Sequence, residues 1–202
     1  MFIEQLPKVV RCIYKGVLWR KDPLEKKIYL TFDDGPIPEV TPWVLDVLDT
    51  YGIKATFFCV GENVVRYPEL YRAIVERGHR TGNHTYNHVR GLLRNTKAYL
   101  ANIELARKYI DSDLFRPPHG DMKWIQLRKL RKQYQVVQWD VISRDYNPEL
   151  KPEEVLEIVK RYARNGSIIV FHDSIKAERN MKYAMPKAID FLKAQGFAFD
   201  TL

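Results

Sequence analysis

Cysteine is scarce in this chain, with Cys12 and Cys59 the two among 202 residues. Two cysteines are too few for a disulfide framework, and their surroundings differ, because Cys12 lies in a basic amphipathic stretch and Cys59 in an apolar run. We therefore expect two free thiols. The small secreted domains that depend on several disulfides are excluded.

Long apolar runs are absent as well. Basic residues interrupt the N-terminal hydrophobic stretch at Lys8, Arg11, Lys15 and Arg20. The sequence therefore shows neither a signal-peptide core nor a transmembrane segment, and a cytoplasmic location is the default expectation.

The N-terminal segment, residues 1–26, carries a narrow apolar stripe at helical spacing, formed by Leu6, Val9, Ile13 and Val17. Three basic residues lie off this stripe, namely Lys8, Arg11 and Lys15. The pattern predicts an amphipathic segment that packs its stripe on the domain. Weak contact with a membrane surface is the alternative.

Acidic residues are outnumbered, with 25 Asp and Glu against 33 Lys and Arg, so the net charge is +8. This excess favours anionic surroundings. The densest basic run, residues 123–132, is best interpreted as a solvated helix face, and the chain has no basic motif with interleaved aromatic residues. We therefore expect no nucleic-acid partner.

From Lys27 onward, short β-rich runs alternate with amphipathic stretches, a pattern typical of an α/β fold with mainly parallel strands. The predicted strands are Ile28–Phe32, Ala55–Val60, Val136–Val141, Ser167–His172 and Phe197–Phe199. The predicted helices are Thr41–Tyr51, Pro68–Arg77, Thr96–Ile110, Glu153–Ala163 and Met181–Ala194. No repeat and no low-complexity linker divides the chain, so residues 27–202 are expected to form one domain, and a monomer is the default.

Two adjacent carboxylates, Asp33 and Asp34, stand where the first predicted strand runs into a turn at Gly35-Pro36. Because the backbone turns there, both side chains can face one cavity. Two like charges so close repel unless a cation lies between them or one is held protonated. This arrangement indicates a metal site or paired acid chemistry.

Metal ligands are available downstream at His84 and His88. Their spacing of four would place both rings on one face of a helical turn. A His-x-x-x-His pair alone is weak, because such histidines often cap helices or pack in cores. Together with one carboxylate, however, two imidazoles give three protein ligands with room for water, as in catalytic metal sites.

Further polar residues follow other predicted strands. His172 and Asp173 end the run Ile168–Phe171, and Asp145 follows the strand through Trp139. Parallel βα folds carry their working groups at the carboxyl ends of strands. We therefore expect these residues to meet at one rim.

Five ordered motifs resemble those of the polysaccharide deacetylases, also known as the NodB-homology or carbohydrate esterase family 4 domain. They are Thr31–Gly35, His84–His88, Arg116–Gly120, Trp139–Tyr146 and Ile168–Asp173. The resemblance spans Lys27 to Leu202. It implies a distorted (β/α)7-type barrel and hydrolysis of N-acetyl groups, occasionally O-acetyl groups, on sugars.

The resemblance also implies roles for individual residues. Asp34, His84 and His88 match the metal triad, which usually holds zinc, with cobalt or another divalent ion in some members. Asp33 matches the general base and His172 the general acid.

Three further positions match supporting residues of the family. Arg116 corresponds to the arginine that pairs with the base, and Asp145 to the carboxylate that orients the acid. His119 corresponds to the residue whose backbone N–H stabilises the oxyanion. Asp173 is expected to be structural, as a cap for the segment that follows it.

The chain departs from the family pattern at three positions that we expect near the substrate. His119 replaces a common tyrosine, Tyr146 a tryptophan, and Val170 a leucine that helps to form the pocket for the acetyl methyl. These changes alter the shape of the pocket. An alternative for His119 is that its side chain supplies an extra metal ligand.

The sequence therefore predicts a metal-dependent hydrolase that deacetylates an acetylated saccharide such as chitin oligomers or peptidoglycan glycans. The alternative is a metal-containing carbohydrate-binding protein with little turnover. A metallopeptidase is a weaker alternative, because no glutamate follows the first histidine of the His-x-x-x-His pair.

Overall fold

The computed structural model describes Gln5, Arg11 and residues 14–202. Cys12 and most of the predicted N-terminal stripe, Leu6, Val9 and Ile13, lie outside the described residues. Val17 is described and packs against a buried cluster around Phe115 and Tyr134. The other thiol, Cys59, is free and buried.

The centre of the fold is one eight-stranded sheet in which every pair of strands is parallel. The strands are β1 (Lys27–Asp33), β2 (Thr56–Cys59), β3 (Arg80–Asn83), β4 (Leu114–Phe115), β5 (Gln135–Val136), β6 (Val141–Ile142), β7 (Ser167–His172) and β8 (Ala198–Phe199). Their order is β5-β4-β3-β2-β1-β7-β6, and β8 pairs with the start of β1. The long central strands β1 and β7 therefore lie side by side.

The sheet must curve strongly. Its two edge strands, β5 and β6, follow one another in the chain, and residues 137–140 connect them. Such a connection spans at most about 18 Å, whereas the edges of a flat seven-strand sheet lie roughly 29 Å apart. The sheet is therefore a partly closed, distorted barrel.

Helices cover the outside of this barrel. They are α1 (Thr41–Tyr51), α2 (Gly61–Arg66), α3 (Pro68–Glu76), α4 (Thr96–Arg107), α5 (Trp124–Leu130), α6 (Pro152–Tyr162) and α7 (Glu178–Ala194). A short 3₁₀ turn occupies Pro118–Gly120. No helix in the described part of the chain has both the length and the apolarity that a membrane span requires.

Strand β1 shows how the two faces of the sheet differ. Ile28, Leu30 and Phe32 belong to the largest buried cluster, together with residues of α1, α6 and α7. Because side chains alternate along a strand, Thr31 and Asp33 point to the opposite, inner face. A polar interior thus begins at the carboxyl end of the strand.

Most predicted elements coincide with observed ones, and the predicted α/β class with parallel strands is confirmed. One strand prediction is wrong: Val136–Val141 is interrupted, because β5 ends at Val136 and β6 starts at Val141. Sequence analysis missed β3, β4 and α2. These elements are four, two and six residues long, too short to show a period.

Candidate active site

The candidate base and acid lie side by side at the carboxyl ends of neighbouring strands. Asp33 ends β1 and His172 ends β7, and the two residues are register partners in the β1–β7 ladder. Both are buried, with 4% and 8% of their surface exposed. The sheet itself therefore sets their separation.

The turn after β1 directs Asp34 toward the same rim. Asp34 adopts a left-handed conformation with φ of 84°, and its carbonyl accepts a hydrogen bond from Asn63 Nδ2 at 2.8 Å. The next N–H, of Gly35, donates to Asp173 Oδ1 at 3.1 Å. A Cβ on Gly35 would lie 1.9 Å from Asp173 Oδ2, so the close approach requires glycine.

Asp173 fastens this turn to the start of α1. Its Oδ2 accepts the hydroxyl of Thr41 at 2.6 Å, and Thr41 Oγ1 accepts the N–H of Ile37 at 2.8 Å. The expectation that Asp173 caps the following segment is therefore wrong. It acts structurally on a loop that comes much earlier in the chain.

The loop after β3 carries His84 and His88 without forming a helix. Thr85 and His88 have left-handed φ angles of 67° and 54°. Asn83 Oδ1 accepts the Thr85 N–H at 2.8 Å, and Thr85 Oγ1 accepts the Val89 N–H at 3.1 Å. The predicted helical turn is wrong, although the two histidine rings do converge, with centroids 5.1 Å apart.

Asp34, His84 and His88 form a group that can hold a metal ion. Each offers one ligand atom, and the three atoms lie within 4.8 Å of one another. Asp34 Oδ1 is 3.1 Å from His88 Nε2 and 3.7 Å from His84 Nε2. Donors about 2 Å from a tetrahedral ion lie roughly 3.3 Å apart, so these spacings fit such a site.

The protonation states also suit metal binding. Burial lowers the pKa of His84 to about 4, so its ring is neutral at pH 7. Its Nδ1 donates to the Arg116 carbonyl at 2.8 Å, which leaves the lone pair of Nε2 facing Asp34. Burial alone would raise the pKa of Asp34, but the nearby His88, His172 and His84 hold it well below its usual range.

Arg116 pairs with the candidate base inside the barrel. It is fully buried, and its Nη1 donates to Asp33 Oδ1 at 2.6 Å and to Thr31 Oγ1 at 2.8 Å. Its Nη2 donates to the Gln138 carbonyl at 3.0 Å, and the guanidinium lies 4.0 Å from the centre of the Phe58 ring. These contacts hold a fixed cation beside the Asp33 carboxylate.

Asp145 binds the candidate acid through both oxygens. Oδ1 lies 2.7 Å from His172 Nδ1, and Oδ2 accepts the backbone N–H of His172 at 2.7 Å. Burial lowers the pKa of His172, but the charge of Asp145 outweighs it, and the pKa is raised to about 9. His172 is therefore protonated at neutral pH, with Nε2 free of this carboxylate.

The candidate base, the candidate acid and the three possible metal ligands line a cavity of about 370 Å³. Its walls contain Asp33, Asp34, His84, His88, Pro117, His119, Gly120, Trp139, Ile142, Tyr146, His172 and Lys176. Val170 is fully buried and does not line the cavity, contrary to the sequence prediction. Its register partner Ile142 in β6 lines the cavity instead.

His119 and Tyr146 stand at the cavity wall. The His119 ring lies edge-on to His88, with centroids 4.9 Å apart, and Tyr146 makes the same kind of contact with His172 at 4.9 Å. Among the described residues, His119 does not join the group of three ligand atoms. Its φ of 59° instead turns the backbone of the 3₁₀ turn at the wall.

Sequence reasoning missed five wall residues, of which Pro117 and Gly120 lie inside the motif Arg116–Gly120. Trp139 and Ile142 lie inside a recognised motif but have no chemistry of their own to single them out. Lys176 lies beyond the last motif, with Nζ 3.3 Å from Asp34 Oδ2 and 5.8 Å from the Tyr146 ring. The sequence does not predict this position for Lys176, because the path of the folded loop decides whether its side chain reaches Asp34.

The chain therefore combines a parallel barrel with a group of three residues that could hold a metal ion, and Asp33 and His172 lie at the same rim. The family model described as polysaccharide deacetylase matches residues 20–138. The chain belongs to the polysaccharide deacetylase family, as the motifs predicted.

Individual relatives agree with this assignment. A peptidoglycan-N-acetylglucosamine deacetylase of Bacillus cereus is 34% identical over 195 residues, covering 92% of this chain and 91% of that protein. A chitooligosaccharide deacetylase of Azorhizobium caulinodans is 30% identical over 197 residues, covering 88% and 93%. The crystal structure of the Bc1960 peptidoglycan N-acetylglucosamine deacetylase has a TM-score of 0.87 and 29% identity, covering 98% and 95%.

Proposed function

We propose that this protein is a metal-dependent deacetylase that removes N-acetyl groups, or in some substrates O-acetyl groups, from an oligo- or polysaccharide such as chitin oligomers or peptidoglycan glycans. The observation that carries the proposal is the pairing of a three-ligand metal group with Asp33 and His172 in one cavity. The relatives support the reaction class, since they are named as deacetylases of peptidoglycan and of chitooligosaccharides.

The residues Asp34, His84 and His88 would hold the metal. Zinc is the favoured ion, because neutral imidazole and carboxylate suit it, and cobalt or another divalent ion is the alternative. When bound, such an ion lowers the pKa of a coordinated water to near 7 and polarises a carbonyl oxygen. Among the described residues, the group offers three protein ligands, which leaves room for water and substrate.

Asp33 would take the proton of the attacking water. Its position next to Asp34 in the chain puts a second carboxylate at the rim, and Arg116 Nη1 donates a hydrogen bond to its Oδ1 at 2.6 Å. The same ion pair fixes the orientation of the carboxylate.

His172 would give a proton to the departing amine. It is charged at neutral pH, and Asp145 holds its Nδ1, so the proton available for transfer is on Nε2. The backbone N–H of His119 is our candidate donor to the oxyanion, and one such donor is typically worth about 3 kcal/mol. Ile142, Trp139 and Tyr146 would surround the acetyl group and the sugar.

A carbohydrate-binding protein with little turnover is disfavoured. Binding alone has no use for a buried carboxylate paired with Arg116 beside a histidine held protonated by Asp145. A monomer and a cytoplasmic location stay predictions.

The test is acetate release from chitin oligosaccharides and peptidoglycan fragments by the zinc- or cobalt-loaded protein. We expect release by the wild type and a loss of about 10²-fold or more in kcat for Asp33→Asn and for His172→Ala. Asp46→Asn is the matched control, because Asp46 is an exposed carboxylate on α1 that pairs with Arg77, and it should leave the rate unchanged. Saccharide binding without acetate release from any substrate would favour the binding protein, and peptide cleavage would favour a peptidase.

A further inference from the structure

Four large apolar side chains are exposed in two neighbouring segments close to the cavity. Leu92, Leu93, Trp124 and Ile125 expose 47%, 76%, 57% and 54% of their surface. We call these four residues the apolar patch. Large contiguous apolar surfaces are uncommon on monomeric proteins and usually mark an interaction site.

Hydrogen bonds tie the two segments together and make the apolar patch a built surface. Gln126 Nε2 donates to the Gly91 carbonyl at 3.0 Å, and the N–H of Leu92 donates to Asp121 Oδ1 at 3.3 Å. Trp124 also packs edge-on against Tyr14, with ring centroids 5.8 Å apart. The exposed side chains therefore project from a fixed framework.

The surroundings of the apolar patch are strongly basic. Residues 89–97 and 119–132 contain eight lysines and arginines and a single acid, Asp121, which pairs with Arg90. Arg128 and Arg131 line a depression of about 570 Å³ together with Trp124, Ile125 and Leu127. This charge accounts for most of the net charge of the whole chain.

The apolar patch adjoins segments that line the cavity. His88 and His119 line that cavity, and each comes within a few residues of one of the two segments. Asp121, which binds Leu92, directly follows the cavity residue Gly120. Whatever covers the apolar patch therefore lies near segments that line the cavity.

We propose that the apolar patch and its basic surroundings dock the protein on an anionic lipid surface. A lipid surface offers both hydrocarbon for leucine and isoleucine and negative charge for the arginines and lysines. A saccharide is a poorer match, because sugars stack on aromatic rings and three of the four side chains are aliphatic. A second copy of the chain would bring two basic surfaces face to face, where like charges repel.

The proposal explains why the helix face at residues 123–132 combines basic residues with exposed Trp124 and Ile125. A solvated helix face would account for the charges but not for the apolar side chains. It stands independently of the deacetylase activity, because it concerns residues outside the catalytic cavity.

The test is flotation of the full chain with phosphatidylcholine vesicles, with and without phosphatidylglycerol. We expect binding to the anionic vesicles that weakens at high salt. Leu93→Ser/Ile125→Ser and Arg94→Gln/Arg128→Gln should each lower the partition coefficient about tenfold. Val65→Ser/Val75→Ser and Lys187→Gln are matched controls on other surfaces and should bind like the wild type.

The activity of Leu93→Ser/Ile125→Ser on short soluble chitin oligosaccharides should equal that of the wild type, which checks that the variant is folded. No binding of the wild type to anionic vesicles at low salt would overturn the proposal. Equal binding of Leu93→Ser/Ile125→Ser and the wild type to anionic vesicles would also overturn it. So would self-association of the wild type that this variant abolishes, or binding of the wild type to insoluble glycan but not to vesicles. A wild type that releases no acetate but floats with anionic vesicles would contradict the proposed function and leave the docking surface intact.

Discussion

The contact between Asp145 and His172 raises the pKa of His172, and the dependence of kcat on pH should report this pKa. In the proposed mechanism His172 can donate a proton only while it is charged, so the rate should be retained below its pKa and lost as the pH rises through about 9. Asp145→Asn removes the charge that opposes the effect of burial, so the pKa of His172 falls. We expect the alkaline limb of kcat to move to lower pH, with the pH–rate profile as the measurement.

The matched control for this prediction is Asp190→Asn, which removes a carboxylate from α7, away from the cavity-lining residues. Its profile should superimpose on that of the wild type. An Asp145→Asn profile with an unchanged alkaline limb would show that this carboxylate does not tune His172.

Replacing Arg116 should lower both the free energy of unfolding and the activity. It is buried with Asp33, so Arg116→Met leaves an unpaired carboxylate in the barrel interior. Removing one partner of a buried ion pair typically costs about 3 to 5 kcal/mol. We expect the free energy of unfolding in urea to fall by about this amount and the activity to be lost. Arg66→Met, which breaks an exposed pair with Glu62, should cost less than about 1 kcal/mol.

Lys176 lies beside the carboxylate of Asp34, which is a proposed metal ligand. Its Nζ is 3.3 Å from Asp34 Oδ2, and its side chain is about half exposed. Removing a positive charge so close to a cation site should tighten zinc binding in Lys176→Gln by about fivefold. Titration calorimetry measures this directly, with Lys182→Gln as a control because Lys182 pairs with Glu178 on α7. Unchanged or weaker zinc binding in Lys176→Gln would contradict the prediction.

At the residue scale, the sequence could identify groups that have chemistry of their own. Asp34, His84 and His88 were predicted as one set, and the structure brings their ligand atoms together. Val170 was predicted at the cavity wall and does not line it. Ile142, its register partner on the neighbouring strand, lines the cavity instead. That choice depends on the curvature of the sheet.

At the scale of elements, the turn between β1 and α1 determines where Asp34 stands. Thr41 links this turn to Asp173 and also accepts the N–H of Ile37. Thr41→Val keeps the shape of the side chain but leaves Asp173 and the N–H of Ile37 without this hydrogen-bond partner. The free energy of unfolding should fall by about 1 to 3 kcal/mol, because the site is buried. Urea unfolding measures the cost, and zinc affinity should fall with it.

Thr50→Val is the control for Thr41→Val. Thr50 is exposed on α1, where its hydroxyl donates to the Asp46 carbonyl of the same helix. A change in stability within about 0.5 kcal/mol is expected. Equal losses for the two variants would mean that the turn is not what Thr41 stabilises.

The long elements were predictable because their patterns repeat. Helix α1 begins with Thr-Pro and ends before Gly52, and its predicted bounds are the observed ones. The loop of His84 and His88 was predicted as a helical turn, because spacing alone does not reveal left-handed residues. Thr85 has such a conformation, and Asn83 Oδ1 accepts its N–H, which is a local contact that no periodicity encodes.

At the scale of the whole molecule, a buried carboxylate connects the N-terminal segment to the barrel. Asp140 is fully buried, and it accepts hydrogen bonds from Arg11 at 2.6 Å, Arg164 at 2.7 Å and Ser167 at 2.8 Å. Burial alone would raise the pKa of Asp140, but these partners lower it below its usual value of 3.8. The stability that this network contributes is therefore present above pH 4 and is lost as the pH falls through the lowered pKa.

Asp140→Asn should consequently lower the free energy of unfolding at neutral pH by about 3 kcal/mol and lower it less in acid. Urea unfolding at a series of pH values provides the measurement. A loss of stability that is the same at every pH would show that the charge of Asp140 is not what matters. Asp200→Asn, at an exposed pair with Lys27, should change little.

Closure of the barrel is the global feature that assembles the site. Asp33 and Asp34 come from the end of β1, His84 from the end of β3, Arg116 from the end of β4 and His172 from the end of β7. The alternation of elements was sufficient to predict that Asp33, Asp34 and His172 share one rim, whereas the strands that carry His84 and Arg116 were missed. It could not predict their distances, which depend on the curvature that the short connection between β5 and β6 imposes.

The most direct test of the account is acetate release from a chitin oligosaccharide as zinc is titrated into chelator-treated protein. We predict no release without metal, a rise to a plateau at one ion per chain, and a second loss when the chelator returns. The His88→Ala variant should need far more zinc for any release. Equal acetate release with and without metal, or none at any zinc concentration in folded protein, would contradict the account.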